Sequence, residues 1–135
     1  MISSKRHKLL TERAPKPIGP YSVGIRSGDL IFAAGTTGVD PTTGKLVSGG
    51  IEAQTRQTLR NLAAVLEAGG SSLALVLKTT VFMQDLKEFA AMNAVYGEHF
   101  PVDPPARTTV QVAGLPLGAQ VEIEAIATIG EGAGD

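Results

Sequence analysis

Polar and apolar residues alternate along two stretches near the C-terminal end of the chain. In the first, Arg107, Thr109 and Gln111 point one way while Thr108, Val110 and Val112 point the other. In the second, Val121, Ile123, Ala125 and Ala127 form an apolar side against Gln120, Glu122 and Glu124. Strict alternation of this kind predicts half-buried strands. Gly114, Pro116 and Gly118 punctuate the segment between them, which reads as a corner joining antiparallel neighbours. On that reading Arg107, Thr109 and Glu122 share one polar sheet face. A guanidinium fork beside a carboxylate suits recognition of a small acid and transfer of a proton. The competing reading is a wet sheet face carrying a surface ion pair.

From Ile51 the period changes to that of a helix. Leu59, Leu62, Ala63 and Leu66 recur on one side, and Glu52, Arg56, Gln57, Arg60 and Glu67 cover the other. Gly69-Gly70 is the expected stop. Glu52 and Arg56 are spaced for an exposed ion pair worth about 0.2–0.5 kcal/mol. This helix reads as a structural layer without chemistry of its own. Leu73 to Met83 is aliphatic and β-branched, as in a buried strand. Asp85 and Glu88 resemble a capping box opening a second helix, in which Phe89, Met92, Tyr96 and Phe100 form one face. Asn93 lies within that stripe, either satisfied by local backbone or serving a pocket. Pro101, Pro104 and Pro105 end the helix.

Towards the N-terminus, Tyr21 to Arg26 and Leu30 to Ala34 flank a Ser27-Gly28-Asp29 turn and predict a hairpin. Gly35 to Gly44 reads as a loop with a turn at Asp40-Pro41-Thr42-Thr43-Gly44. Residues 1–13 read as a mobile basic tail, and residues 14–135 as a single domain. The order ββ, α, β, α, ββ predicts an α+β sandwich with both helices on one face of a mainly antiparallel sheet. The other face must then be wet or covered by another subunit.

Composition narrows the chemistry. At 135 residues and a net charge of -1, the chain can build a core but has no basic field to hold a polyanion, so nucleic acid is not expected as a partner. Having no cysteine excludes disulfides and thiolate chemistry, and two histidines leave little for a metal site. His99 reads as a helix-end cation. No apolar run has the length of a membrane span or of a secretory signal, so a cytoplasmic protein is expected.

Five blocks, in order, carry a resemblance. They are Ile18-Gly19-Pro20-Tyr21-Ser22; Lys78-Thr79-Thr80-Val81-Phe82 with Asp85-Leu86; Phe89-Ala90-Ala91-Met92-Asn93 with Tyr96; Pro105-Ala106-Arg107-Thr108-Thr109-Val110; and Val121-Glu122-Ile123-Glu124-Ala125-Ile126-Ala127. Together they resemble the Rid/YjgF family of reactive-intermediate deaminases, also called endoribonuclease L-PSP or translation-inhibitor proteins. The resemblance implies a chorismate-mutase-like α+β fold, a homotrimer with clefts between subunits, and hydrolysis of 2-imino acids and enamines to 2-keto acids and ammonia. It implies neither a metal nor an organic cofactor. Carried over by position, Arg107 binds the substrate carboxylate and Glu122 orients or deprotonates the attacking water. Tyr21, Gly35, Asn93 and Thr109 line the substrate cleft. Two departures stand out. Ala34-Gly35-Thr36 replaces the frequent Ser-Gly-Gln, and Thr109 stands where Cys or Ser is frequent. The alternatives are a non-catalytic binder of small carboxylates such as 2-keto acids and, less in keeping with the charge balance, a ribonuclease or translation inhibitor.

Overall fold

A computed structural model describes residues 5–130. Six strands form the main sheet in the order β1-β2-β3-β8-β6-β7, with β1 at His7–Lys8, β2 at Gly24–Ser27, β3 at Leu30–Thr36, β6 at Val76–Met83, β7 at Ala106–Gln111 and β8 at Val121–Thr128. A small hairpin of β4 (Val39–Asp40) and β5 (Lys45–Leu46) stands apart. Helix α1 spans Gly50–Ala68 and α2 spans Phe89–His99. Every neighbouring pair in the main sheet is antiparallel except β6 and β7. The expected α+β sandwich, with both helices on one face of a mainly antiparallel sheet, is the observed fold.

The alternation read from the sequence fixes which face each strand buries. Ile31 and Ala33 of β3, Val81 and Met83 of β6, and Val121, Ile123, Ala125 and Ala127 of β8 turn towards the helices and are buried. Helix α1 meets them with Leu59, Leu62 and Leu66, and α2 with Met92, Tyr96 and Phe100. The sheet's other face carries Leu30 and Phe32, 36% and 44% exposed, alongside half-buried Phe82 and Ile126. These apolar side chains have no cover among the described residues.

Several expectations hold locally. The β2–β3 hairpin turns at Gly28, whose φ of 60° favours glycine. The Asp40 turn closes through Asp40 Oδ1, which accepts from the Thr42 N–H at 2.8 Å and from the Thr42 hydroxyl at 2.7 Å. Gly69 and Gly70 end α1 with N–H groups returned to Leu66 and Glu67 carbonyls. His99 sits in the last turn of α2, its Nδ1 at 2.9 Å from the Val95 carbonyl oxygen.

Others are corrected. The expected β7–β8 hairpin does not form, because β6 lies between the two strands. Strand β7 pairs with β6 in parallel, and a parallel neighbour requires a crossover, here α2. The Gly114–Gly118 segment therefore carries the chain past the end of β6 rather than around a tight corner. Asp85 caps the short turn before α2 by accepting from the Lys87 N–H, while Glu88 receives the Gln120 side chain instead of closing a capping box. Arg56 pairs with Glu98 of α2 at 3.2 Å, not with Glu52. The expected Gly35–Gly44 loop instead holds the end of β3, then β4 and the turn into β5.

The expected mobile tail of residues 1–13 is also corrected over its described part. His7 and Lys8 pair with Arg26 and Ile25, Leu9 donates to the Gly24 carbonyl, and its side chain is 7% exposed. Arg13 reaches Glu67 on α1 at 3.0 Å. An apolar Leu9 within a basic run was enough to add an edge strand to the sheet. Leu9→Ala should therefore destabilise the protein by about 2 kcal/mol in chemical unfolding. A free tail would leave the midpoint unchanged.

Candidate active site

Glu122 and Arg107 define two separate clusters. In β8, Glu122 faces the uncovered side of the sheet, opposite Phe82 of β6 in register. The β3–β8 register slips between Ala33 and Thr36, so β3 is bulged at Ala34–Gly35 beside the strand that carries Glu122. A Cβ built on Gly35 would stand 2.9 Å from Glu122 Cδ and 3.2 Å from its Oε1. The carboxylate lies across bare backbone, in space that any other residue at position 35 would fill. Tyr21 is 49% exposed nearby, and its hydroxyl accepts from the Ile18 N–H at 3.3 Å. These groups line a cleft of about 870 Å³ whose walls include Ala34, Thr36 and Leu117.

Glu122 has no hydrogen bond or ion pair among the described residues. Burial raises its pKa above the ordinary glutamate value, and the neighbouring Glu124 carboxylate raises it further. It is a carboxylate held as a stronger base than glutamate in water.

The second cluster lies on the helix-covered side, at the sheet's edge. Arg107 of β7 is in register with Thr79, and Thr109 with Val81, so both face the same way as the core. The Arg107 guanidinium lies 4.7 Å from the centre of the Tyr96 ring and 5.5 Å from that of Phe89. Tyr96 is itself fixed by a 2.7 Å hydrogen bond between its hydroxyl and that of Thr79. Burial raises the Tyr96 pKa, and the bond to Thr79 and the Arg107 charge oppose this. Phe89, Asn93 and Tyr96 follow at helical spacing on α2, so the Asn93 amide stands on the face that carries both rings. Its Oδ1 is buried and has no hydrogen-bond partner among the described residues. No carboxylate among the described residues lies within 4.0 Å of Arg107, so the surface ion pair is not formed.

Of the six residues singled out from the sequence, the structure gathers Tyr21, Gly35 and Glu122 at one cleft, and Arg107, Asn93 and Thr109 at one edge. It does not bring the two sets together. Arg107 and Glu122 project from opposite faces of one sheet, which corrects the shared face expected from a β7–β8 hairpin. Phe89 and Tyr96, read from the sequence only as part of one helical face, are the rings around Arg107, and Tyr96 belongs to the core as well. The signal for this was a polar Asn93 between them in an otherwise apolar stripe. Among the described residues no group of three or more His, Asp or Glu is placed to hold a metal ion, and no helix is long and apolar enough to cross a membrane.

An α+β sheet with an arginine edge, a carboxylate cleft and one face left uncovered by the described residues defines a particular structural class. The chain belongs to the Endoribonuclease L-PSP family, also known as Rid/YjgF, whose pattern it matches over residues 11–129. It is 52% identical over 119 residues to a RutC family protein of Pyrococcus horikoshii, covering 88% of this chain and 94% of that one. It is 41% identical over 130 residues to the human 2-iminobutanoate/2-iminopropanoate deaminase, covering 96% and 95% of the two chains. The crystal structure of E. coli TdcF with bound serine superposes with a TM-score of 0.88 at 39% identity, covering 92% of this chain and 99% of that one.

The electrostatics of the cleft predict a stability effect with a definite sign. A carboxyl whose pKa is raised in the folded state contributes stability that is fully present below the unfolded value of about 4.3. That contribution is lost as pH rises through the higher folded value, where Glu122 must ionise against its surroundings. Glu122→Gln should therefore melt at a higher temperature than the parent at about pH 7. The gain should disappear in scans below about pH 4.

Proposed function

We propose that this protein hydrolyses the imines and enamines of small 2-amino acids, such as 2-iminopropanoate and 2-iminobutanoate, to 2-keto acids and ammonia. The observation that carries the reading is the pair of unspent groups. Among the described residues, one is an arginine fork with no carboxylate partner, and the other a glutamate with a raised pKa and no hydrogen bond. Arg107 suits a substrate carboxylate because its planar guanidinium makes two parallel bonds, and the Tyr96 and Phe89 rings hold that plane. The identity to a deaminase of 2-iminobutanoate and 2-iminopropanoate, and the fold shared with a protein that holds serine, support the same substrate class.

Because Arg107 and Glu122 project from opposite faces, one substrate meets both only where two copies of the chain come together. The edge formed by β7 and α2 of one copy would cover the open sheet face of the next, sheltering Leu30 and Phe32. A head-to-tail contact of this kind can close into a ring, and a homotrimer places three equivalent clefts between neighbours.

In the cleft, Arg107 binds the carboxylate and presents C2 of the imine towards Glu122 of the adjoining copy. Glu122 takes a proton from water as the water oxygen bonds to C2, and the C=N π pair moves onto nitrogen. Its raised pKa makes it a stronger base for this task than an ordinary glutamate. Glu122 returns that proton to nitrogen to give the neutral carbinolamine. It then takes the carbinolamine hydroxyl proton and delivers it to the departing nitrogen as the C–N bond breaks and the C=O bond forms, giving the keto acid and ammonia. Positioning and charge provide the acceleration, since the imine is itself reactive.

The test is release of ammonia and keto acid from freshly generated 2-iminopropanoate, measured against the spontaneous rate. Arg107→Ala should lose roughly 100-fold in kcat/KM, the scale of removing one partner of a hydrogen-bonded charge pair. Glu122→Gln should be similarly impaired. Co-refolding the two impaired variants in equal amounts should restore about one quarter of the parent activity, since random assembly leaves that share of clefts with both groups intact. Failure to complement, with each variant folded and trimeric, would place both groups in one chain's site and reject the shared cleft. Keto-acid binding without any acceleration would favour the non-catalytic binder.

A further inference from the structure

We propose that Gln54 and Asn61, both buried on α1, are positioning residues that hold the Gly35 bulge and the start of β8 together and so fix where the Glu122 carboxylate sits. The inference rests on the role given to Glu122 above, and it gives α1 a part in the chemistry that its sequence did not suggest.

Glu122 has no hydrogen bond of its own among the described residues, so its place is set by the backbone on which it stands and the backbone it lies across. Both are anchored to α1. The Asn61 Nδ2 donates to the carbonyls of Thr37 at 2.9 Å and Val39 at 2.8 Å, just beyond the Gly35 bulge. Its Oδ1 accepts from Gln57 Nε2 at 2.9 Å, which fixes the amide's orientation. Gln54 Oε1 accepts from the Gln120 N–H at 2.8 Å, two residues before Glu122. Residues 54 and 61 are seven apart, close to two helical turns, and so share one face.

The contact is close as well as polar. A Cβ on Gly38 would stand 2.8 Å from the Gln54 carbonyl oxygen and 2.9 Å from its Cα, so the loop backbone rests directly on the helix. Asn61 is fully buried and Gln54 is 7% exposed. Leucine or methionine at these positions would fill the same core space, but would leave a backbone N–H and two carbonyls without these partners. The polar atoms are what couple the helix to both strand ends. A buried network of hydrogen bonds between side-chain amides and backbone rigidifies what it joins.

Gln54→Met and Asn61→Leu keep side-chain bulk and remove the hydrogen bonds, and Gln54→Glu keeps an acceptor. The experiment combines a ¹³C NMR titration of the Glu122 carboxyl with imine-hydrolysis kinetics on the full-length protein. Glu12, Lys16, Tyr21 and Glu124 also line the cleft, and none is bonded to Gln54 or Asn61, so the variants leave them in place.

In the parent, Glu122 should titrate above the ordinary glutamate range. In Gln54→Met and Asn61→Leu it should fall back towards that range as the carboxylate moves into solvent. The kcat should drop about tenfold or more, as expected for a small misplacement of a reacting group. KM, set at the Arg107 edge, should stay within about twofold. Gln54→Glu should recover most of both losses. An unchanged Glu122 titration in folded Gln54→Met would overturn the proposal. If Asn61→Leu does not fold, Gln57→Leu, which removes only the brace on Asn61, should shift the titration in the same direction by less. Should the parent fail to accelerate hydrolysis, the deaminase reading falls, while the titration still decides whether α1 positions Glu122.

Discussion

Strand β6 stands between β7 and β8, and most of what is distinctive here depends on that placement. A parallel β6–β7 pair requires the chain to leave the sheet and return, and α2 is the excursion. The crossover lays Phe89 and Tyr96 beside the edge strand, where they meet Arg107. It also makes Arg107 share a face with Thr79 and Val81 rather than with Glu122. An arginine on the helix side of a sheet would ordinarily be costly to desolvate. At the edge strand it remains half-buried, with two aromatic faces as neighbours and no carboxylate partner among the described residues.

The carboxylate cluster obeys a different constraint. A half-buried glutamate beside another glutamate is destabilising when ionised, and nothing among the described residues neutralises it. It persists because β3 is bulged at the one position without a side chain, and because two amides on α1 hold the ends of the strands concerned. On the proposed reading, a carboxylate kept basic by the structure around it stands where the chemistry is done. The stability forgone at Glu122 and the basicity gained there have the same origin.

The elements were legible in the sequence wherever a period was clean. Leu59, Leu62 and Leu66 gave α1, and Val121 to Ala127 gave a strand whose buried side was read correctly. What alternation cannot report is which strand is the neighbour. Both a hairpin and a strand-skipping connection are compatible with a Gly-Leu-Pro-Leu-Gly segment, and the preference for the shorter path led to the wrong face for Arg107. Strand alternation marked Arg107, Thr109 and Glu122, an apolar helical stripe marked Asn93, and the family resemblance added Tyr21 and Gly35; all six fall in two clusters even though their mutual geometry was misread. Gln54 and Asn61 escaped notice because a polar residue on a helix is ordinarily a surface residue. Only their phase relative to Leu62 and Val65 marked them as facing inward. Leu9 was lost in the same way, as a single apolar residue inside a basic run.

The replacements at Ala34 and Thr36 take their meaning from the bulge between them. The register slip and the bare Gly35 are backbone features, and they keep Glu122 in place whatever side chains flank them. Ala34 and Thr36 line the cleft, so changing them alters its wall. Replacing a serine with Ala34 removes a hydroxyl from that wall, and replacing a glutamine with Thr36 shortens and branches it. Arg107, on another element and another face, is untouched by either change. On the proposed reading, the substrate's carboxylate and reacting carbon are therefore handled by groups independent of these positions. The departures act instead on side-chain selection, favouring apolar substituents over those that require a hydrogen bond from the wall.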